Sequence, residues 1–258
     1  MTINWSGLAP HPPIIVPEIG GRRGSEASLT IESMRQFSSA FMACHCDLLI
    51  VLSPHTPRPR CGIATWTEPT IHGDFAAFGH PDLKYQFEND PHWVHSFSKT
   101  YQDIHRLSGQ SLDHGALVPL HFLAEAGWQG KTVVLGLPWD ESEHQSIANA
   151  ISEACRSSQR TGLLASGDMS HCLKHGAPAG FHPMGQEFDS LFIAHIKRGE
   201  YKKALHATGN SRSKACEDVI GSCDIAWRVT DYNHHHFEFH SYEGPFGVGY
   251  CVSTFHRD

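Results

Sequence analysis

Three histidines follow predicted strands, and two of them, His11 and His55, could bind one metal ion together. His11 and His55 each lie in a loop that contains prolines, which restrict the backbone around the imidazole. His171 ends the loop that follows another apolar segment. Histidine is the commonest metal ligand in proteins, and open α/β sheets bind their ligands where the strands end. The sequence therefore predicts a metal site at the carboxyl edge of a sheet.

A carboxylate would complete such a site. Two histidines and one carboxylate on one face of an ion leave further positions open, which is the arrangement of non-haem Fe(II) oxygenases. The candidate carboxylates are Glu217, Glu243 and Asp168. Glu217 lies near the start of a predicted helix, and Glu243 precedes the last predicted strand. The residues alone leave the choice among the three open.

Two histidines are candidates for proton transfer. His171 has Asp168 and Ser170 close by in the chain, and these side chains could orient its ring. His114 precedes Gly115, and a glycine permits close approach of the backbone to a ligand. The alternative for each is an ordinary histidine bonded to nearby polar groups. We expect His171 and His114 to be the acid–base residues of the site.

Short apolar segments alternate with helical ones, which predicts one α/β domain over residues 1–258. Its central sheet should be mixed or parallel, with helices on both faces and the active site at the carboxyl ends of the strands. Residues 58–90 are rich in glycine, proline and aromatic residues and predict a long excursion that could cover the site. The predicted strands are 6–9, 48–52, 132–137, 162–165 and 248–254, and the predicted helices are 29–43, 119–126, 142–155, 184–197 and 214–229.

Composition narrows the classes of partner. The chain has 258 residues and a formal net charge of -7, so nucleic acid is not an expected partner. No apolar stretch approaches the ~18 residues of a membrane span. The first residues lack the features of a signal peptide, so we expect a cytoplasmic protein whose eight cysteines are reduced thiols. A homo-oligomer remains possible.

Seven stretches together resemble the class III extradiol dioxygenase superfamily of the LigB type, especially the branch related to Memo and the AmmeMemoRadiSam proteins. They include APHPPIIVPEIGG, DLLIVLSPHT, LDHGALVPLHFL and ASGDMSHCL, and they occur in the order found in the family. They cover most of the chain, and their joint presence is more specific than any one motif. The stretches are 9–21, 47–56, 73–79, 112–123, 165–173, 185–189 and 241–255.

The resemblance implies an Fe(II) enzyme that cleaves a small aromatic diol with dioxygen. It implies His11 and His55 as metal ligands, with Glu217 as the third ligand and Glu243 ranked second. His171 matches the acid–base histidine of the family, and His114 matches the second histidine of the catalytic pair.

Two other functions remain open. In the Memo branch a cysteine replaces the carboxylate ligand, and Cys216 is adjacent to Glu217, so a Memo-like metal-binding or redox protein without ring cleavage is an alternative. Loop histidines would also suit a zinc hydrolase, although the chain has no H-E-x-x-H motif. The identity of the bound metal would separate a hydrolase from an oxygenase.

Overall fold

The computed structural model describes residues 3–155 and 159–258. The strands are β1 (Trp5–Ala9), β2 (Leu48–Ser53), β3 (Ile63–Trp66), β4 (Thr70–Phe75), β5 (His80–Glu88), β6 (Ile104–Leu107), β7 (Lys131–Gly136), β8 (Thr161–Ser166), β9 (Glu238–Glu243) and β10 (Tyr250–Arg257). The helices are α1 (Pro17–Gly24), α2 (Ser28–Ala43), α3 (Pro91–Thr100), α4 (His114–Glu125), α5 (His144–Ala154), α6 (Pro183–Ile196), α7 (Tyr201–Ala207), α8 (Gly209–Ala215) and α9 (Ile220–Val229).

Eight strands form one mixed sheet in the order β6-β3-β7-β2-β8-β1-β10-β9. Strands β7, β2, β8 and β1 are parallel to one another, whereas β10 runs antiparallel to both β1 and β9. Every residue of β1, β2 and β8 is buried. Strands covered on both faces need apolar side chains at consecutive positions, which is why these segments appear as unbroken apolar runs in the sequence. The predicted sheet is confirmed.

Helices cover both faces of this sheet and define two apolar clusters. On one face, α2 and α4 pack on the sheet through side chains such as Phe37 and Leu117. On the other face, α3, α5, α6 and α9 contribute side chains such as Ile147, Phe188 and Trp227. The chain is therefore a single α/β domain with its sheet in the middle, as the alternation of elements predicts. Within the described ranges, no helix combines the length and apolar character that a membrane span needs.

Helix α4 begins at His114, five residues before the predicted start at Pro119. Asp113 is the N-cap, and its carboxylate accepts a hydrogen bond from the backbone N of Ala116 at 3.1 Å. An aspartate at this position satisfies one of the free N–H groups of the first turn. His114 is consequently the first helical residue, held at the end of a capped helix.

The predicted helix over 214–229 is wrong, because the chain breaks between α8 and α9. Cys216 has a left-handed backbone with φ 54°, which ends α8. The connecting segment is then tied to the loop after β8, since the backbone N of Asp168 donates to Oδ1 of Asp218 at 2.6 Å. A helix through these residues would have lost that contact. The break places Glu217 and Asp218 in a connection, where their side chains can take different directions.

Residues 58–90, predicted to be a long segment outside the sheet that could cover the site, lie only partly outside the sheet. They contain β3, which joins the main sheet, and the separate antiparallel hairpin of β4 and β5. The short turn between β4 and β5 carries Phe78, whose ring lies 5.7 Å from the ring of His114. The tip of the hairpin therefore does reach the edge of the sheet where the histidines lie.

Candidate functional site

The carboxyl ends of β1 and β2 bring two histidines into direct contact. Nε2 of His11 lies 3.0 Å from Nε2 of His55. His11 is 1% exposed, whereas the side chain of His55 is 36% exposed. The pair thus has one imidazole fixed in the protein interior and one at the surface, as a site open to a small molecule requires.

The carboxylate beside this pair belongs to Asp218. Its Oδ2 lies 3.2 Å from Nε2 of His55 and 3.4 Å from Nε2 of His11. Donor atoms that bind one ion at about 2.1 Å and at right angles are roughly 3.0 Å apart. The three atoms therefore have the mutual spacing of ligands on one face of a single transition-metal ion.

His114 is the third histidine of the cluster. Its ring centre lies 4.2 Å from that of His55 and 5.5 Å from that of His11. One ligand atom from each of these three histidines lies within 4.8 Å of the others. Two possible ligand sets thus share His11 and His55 and differ in the third member. Asp218 brings an oxygen within 3.4 Å of both shared histidines, together with the negative charge that favours a cation.

Hydrogen bonds fix which nitrogen of His11 faces the site. Nδ1 of His11 lies 2.9 Å from Oγ of Ser166, and that hydroxyl donates its only proton to the carbonyl of Gly115 at 2.5 Å. The serine oxygen must therefore accept from Nδ1–H of His11. Nε2 of His11 can therefore present its lone pair to an ion. In metal sites, a hydrogen bond to the other ring nitrogen of a histidine commonly fixes the tautomer in this way.

Asp168 supports both His11 and Asp218. Its Oδ1 accepts from the backbone N of His11 at 2.9 Å, and its own backbone N donates to Asp218. Its Oδ2 is 4.0 Å from Nε2 of His11, farther than either oxygen–nitrogen distance of Asp218. Asp168, one of the candidate carboxylates in the sequence, therefore lies at the site. Its hydrogen bonds suit it to position His11 and Asp218.

The loop of His55 is held by the carboxylate that caps α4. Asp113 accepts from Oγ of Ser53 and from Oγ1 of Thr56, both at 2.6 Å. These two residues flank the Pro54–His55 pair on either side. A single half-buried carboxylate thus fixes the loop of one histidine and the first turn of the helix that begins with another.

Charges in the site shift the pKa values in opposite directions. Burial alone would lower the pKa of His11, but Asp168 and Asp218 together raise it to about 9. Burial would raise the pKa of Asp218, yet His11 and His55 hold it well below its usual range. Burial and the two neighbouring histidines lower the pKa of His114 to about 4. The cluster therefore contains an ionised carboxylate beside imidazoles, which is the charge pattern of a cation site.

Glu217 and Glu243 have other partners. Oε2 of Glu217 accepts from the backbone N of Ile220 at 2.8 Å, and Oε1 forms an ion pair with Arg212. Oε1 of Glu243 accepts two hydrogen bonds from Thr30 in α2. The carboxylate beside the histidines is that of Asp218, the residue after Glu217, and the expected ligands Glu217 and Glu243 lie against these other partners. Asp218 was not among the carboxylates predicted from the sequence, although it directly follows Glu217.

His171 lies in the loop after β8, as expected. Its backbone N donates to the carbonyl of Ala215 at 2.9 Å, and its Nδ1 is buried with no hydrogen-bond partner in the described part of the chain. His171 is thus anchored by its backbone, and one of its ring nitrogens is buried without a partner among the described residues. Cys216, by contrast, is exposed.

A cavity of about 210 Å³ adjoins Asp218. Arg58, Trp139 and Arg212 contribute to its wall, and Asp218 forms the side nearest the histidines. An apolar cavity of ~150 Å³ accommodates benzene. The cavity is therefore large enough for one small ring or one carboxylate with its attached carbons.

Comparisons with known proteins agree on the fold. A family described as the catalytic LigB subunit of aromatic ring-opening dioxygenase matches residues 7–252. Protein CA_C1420 from Clostridium acetobutylicum is 28% identical over 272 residues, covering 98% of this chain and 57% of that protein, so the chain spans little more than half the length of this curated relative. The crystal structure of the uncharacterized protein JW3007 from Escherichia coli K12 has a TM-score of 0.60 at 12% identity, covering 86% of this chain and 92% of that one. At this identity the likeness shows the fold alone.

Proposed function

Because the chain belongs to the LigB family of catalytic subunits of aromatic ring-opening dioxygenases, we propose that it is a non-haem Fe(II)-dependent extradiol dioxygenase that acts on a catechol-type aromatic diol. The observation that carries the proposal is the convergence of Nε2 of His11, Nε2 of His55 and Oδ2 of Asp218 within 3.0–3.4 Å. This is the composition of a facial triad.

His11, His55 and Asp218 would hold the iron. The ion, when bound, supplies a site that a diol and dioxygen share and a route for electrons between them. The exposed face of His55 leaves room for both reactants on the solvent side. Ser166 and Asp168 keep His11 in place from the buried side. The contribution of the protein is thus to fix the ligands before the substrate arrives.

His114 and His171 are the residues proposed to move protons. His114 lies against His55 on one side and Phe78 on another, so its ring would border a diol bound at this edge. Nδ1 of His171 has no hydrogen-bond partner in the described part of the chain, and the backbone of His171 is fixed by Ala215. A hydroxyl of the substrate must lose a proton to chelate a metal, and a neutral imidazole nearby can accept it.

A zinc-dependent hydrolase is the second candidate. The mutual approach of His11, His55 and His114 within 4.8 Å would suit zinc, which binds three histidines and keeps a position for water. The position of Asp218 favours iron, because its carboxylate beside His11 and His55 completes a set of two histidines and one carboxylate. A Memo-like protein that holds metal without cleaving rings is the remaining alternative.

The decisive experiment is anaerobic reconstitution with Fe(II), followed by admission of oxygen over a panel of catechols. We expect a yellow ring-fission product from the wild-type protein and none from His55→Ala or Asp218→Asn. Tight iron binding with no product from any diol would favour the Memo-like alternative. Retention of zinc in preference to iron, with hydrolysis of an ester substrate, would favour the hydrolase.

A further inference from the structure

Helix α4 contains a buried proline, Pro119, in its second turn. In an α-helix each backbone N–H donates to the carbonyl four residues earlier, so an N–H at position 119 would donate to the carbonyl of Gly115. Proline has no N–H, and its ring also crowds that same carbonyl. The carbonyl of Gly115 therefore lacks its usual intrahelical donor and is left open to a donor outside the helix.

A side chain of the central sheet bonds to this carbonyl. Ser166, the last residue of β8, is fully buried, and its hydroxyl donates to the carbonyl of Gly115 at 2.5 Å. The same hydroxyl oxygen lies 2.9 Å from Nδ1 of His11. Two hydrogen bonds thus connect the interrupted turn of α4 to the imidazole of His11.

The direction of these two bonds decides which nitrogen of His11 carries its proton. A serine hydroxyl has one proton, and here that proton is directed to Gly115, so Nδ1 of His11 must be the donor to Ser166. If a helical N–H occupied the carbonyl instead, the hydroxyl could turn and donate to Nδ1. The proton of the neutral imidazole would then lie on Nε2, where it opposes the binding of an ion.

We propose that Pro119 is a positioning residue of the candidate metal site, because it reserves the carbonyl of Gly115 for Ser166 and so fixes the tautomer of His11. The inference rests on the proposed function only in taking Nε2 of His11 as a metal ligand. A proline in a helix interior ordinarily destabilises the helix. Pro119 therefore weakens α4 while it supports the site, and the two effects can be measured separately.

The first measurement uses metal-free protein that contains isotope-labelled histidine. Nuclear magnetic resonance follows the exchange of the Nδ1 proton of His11 with solvent, and His11→Gln identifies its signal. Pro119→Ala supplies an N–H to Gly115 and should make this exchange roughly fivefold to tenfold faster, since the loss of one hydrogen bond has an effect of this size. Ser166→Ala should accelerate the exchange at least as much.

The second measurement is the affinity for Fe(II) under argon, obtained by competition with a chelator. Pro119→Ala should weaken it by about 10–100-fold, as the loss of a group that supports a metal-bound histidine does. The double variant with Pro119→Ala and Ser166→Ala should bind iron no more weakly than Ser166→Ala alone, because the proline acts through the serine. Independent effects would multiply instead.

Val118 provides a matched control, since it is the buried neighbour of Pro119 in the same helix. Val118→Ala removes a similar volume and leaves the backbone donors of α4 unchanged, so it should lower the melting temperature and keep the iron affinity of wild type. Pro119→Ala should melt above Val118→Ala, because it restores a helical hydrogen bond. Equal iron affinities of these two variants, or multiplied effects in the double variant, would overturn the inference.

The result also separates this inference from the proposed function. Faster exchange at His11 in Pro119→Ala, with no iron bound by wild type, would retain the role of Pro119 in orienting the imidazole and reject the dioxygenase. Diol cleavage by iron-loaded wild type, with exchange at His11 and iron affinity both unchanged in Pro119→Ala, would do the reverse. Thermal unfolding of each variant establishes that the protein compared is folded.

Discussion

Oδ2 of Asp218 lies 3.2 Å from Nε2 of His55, although 163 residues separate the two in the sequence. The contact depends on the break between α8 and α9, which turns consecutive carboxylates in different directions. Glu217 is engaged by Arg212 and by the backbone of Ile220, while Asp218 faces the histidines. The adjacent acids thus have separate tasks, one structural and one at the candidate metal site.

Replacing each acid by its amide tests this division. Asp218→Asn should lower the affinity for Fe(II) by more than about tenfold, because it removes a charged ligand. Glu217→Gln should lower the melting temperature, because it removes the buried partner of Arg212, but should retain iron when measured well below that temperature. The measurement is iron per chain after anaerobic desalting. Loss of iron from Glu217→Gln alone would restore Glu217 as the third ligand.

The role of His114 can be separated from that of the ligands. His114→Gln should retain iron and lower kcat for diol cleavage by about 10²–10⁴-fold, as loss of a proton-transfer group does. His55→Ala should lose iron altogether. The comparison combines iron content with single-turnover rates. Iron loss in His114→Gln equal to that in His55→Ala would show that the three-histidine set holds the metal.

Ser166 should act on metal affinity through His11. Ser166→Ala removes the acceptor for Nδ1–H of His11, and loss of such supporting groups weakens metal binding by about 10–100-fold. Ser38→Ala is the matched control, because Ser38 is also buried but its hydroxyl has no hydrogen-bond partner in the described chain. The measurement is the dissociation constant of the metal from each variant, obtained by competition with a chelator. Equal affinities of the two variants would exclude this role for Ser166.

Asp113 should contribute strongly to stability. Asp113→Ala removes the acceptor for Ser53, for Thr56 and for the first turn of α4, and we expect a loss of about 2–4 kcal/mol in the free energy of unfolding. Asp140→Ala removes an exposed cap from a short turn and should cost much less. Urea denaturation of the metal-free proteins measures both. Similar losses would contradict a special role for Asp113.

Asp189 should make stability depend on pH. Burial raises its pKa to about 6, despite hydrogen bonds from Tyr242 at 2.6 Å and from the backbone N of Ser170 at 2.9 Å. The folded state therefore binds a proton more tightly than the unfolded state, so this group stabilises the protein more as pH falls from 7 to 4. We expect the free energy of unfolding of wild type to gain roughly 2–3 kcal/mol relative to Asp189→Asn over that range. Parallel curves for the two proteins, measured in urea at each pH, would rule out the shift.

The central strands and the meeting of His11 with His55 could be predicted from the sequence. Unbroken runs of valine, isoleucine and leucine specify buried parallel strands, and the loops at their carboxyl ends must then share one edge. The carboxylate that lies beside these histidines could not be predicted in this way. In a helix, neighbouring residues point about 100° apart, so at most one of Glu217 and Asp218 would face the site. The choice depends on the bond between Asp168 and Asp218, a contact across 50 residues that no local pattern encodes.

The absence of a side chain at Gly115 is a condition for the arrangement of histidines at the candidate metal site. A β-carbon at this position would lie 2.6 Å from Oγ of Ser53, 2.9 Å from Oδ1 of Asp113 and 3.1 Å from the ring of His55. Any larger residue would therefore push apart the loop and the cap that hold the histidines. A homologous sequence with alanine at this position must have rearranged the site even if every ligand is retained, so this glycine is a criterion for grouping relatives by mechanism rather than by overall similarity.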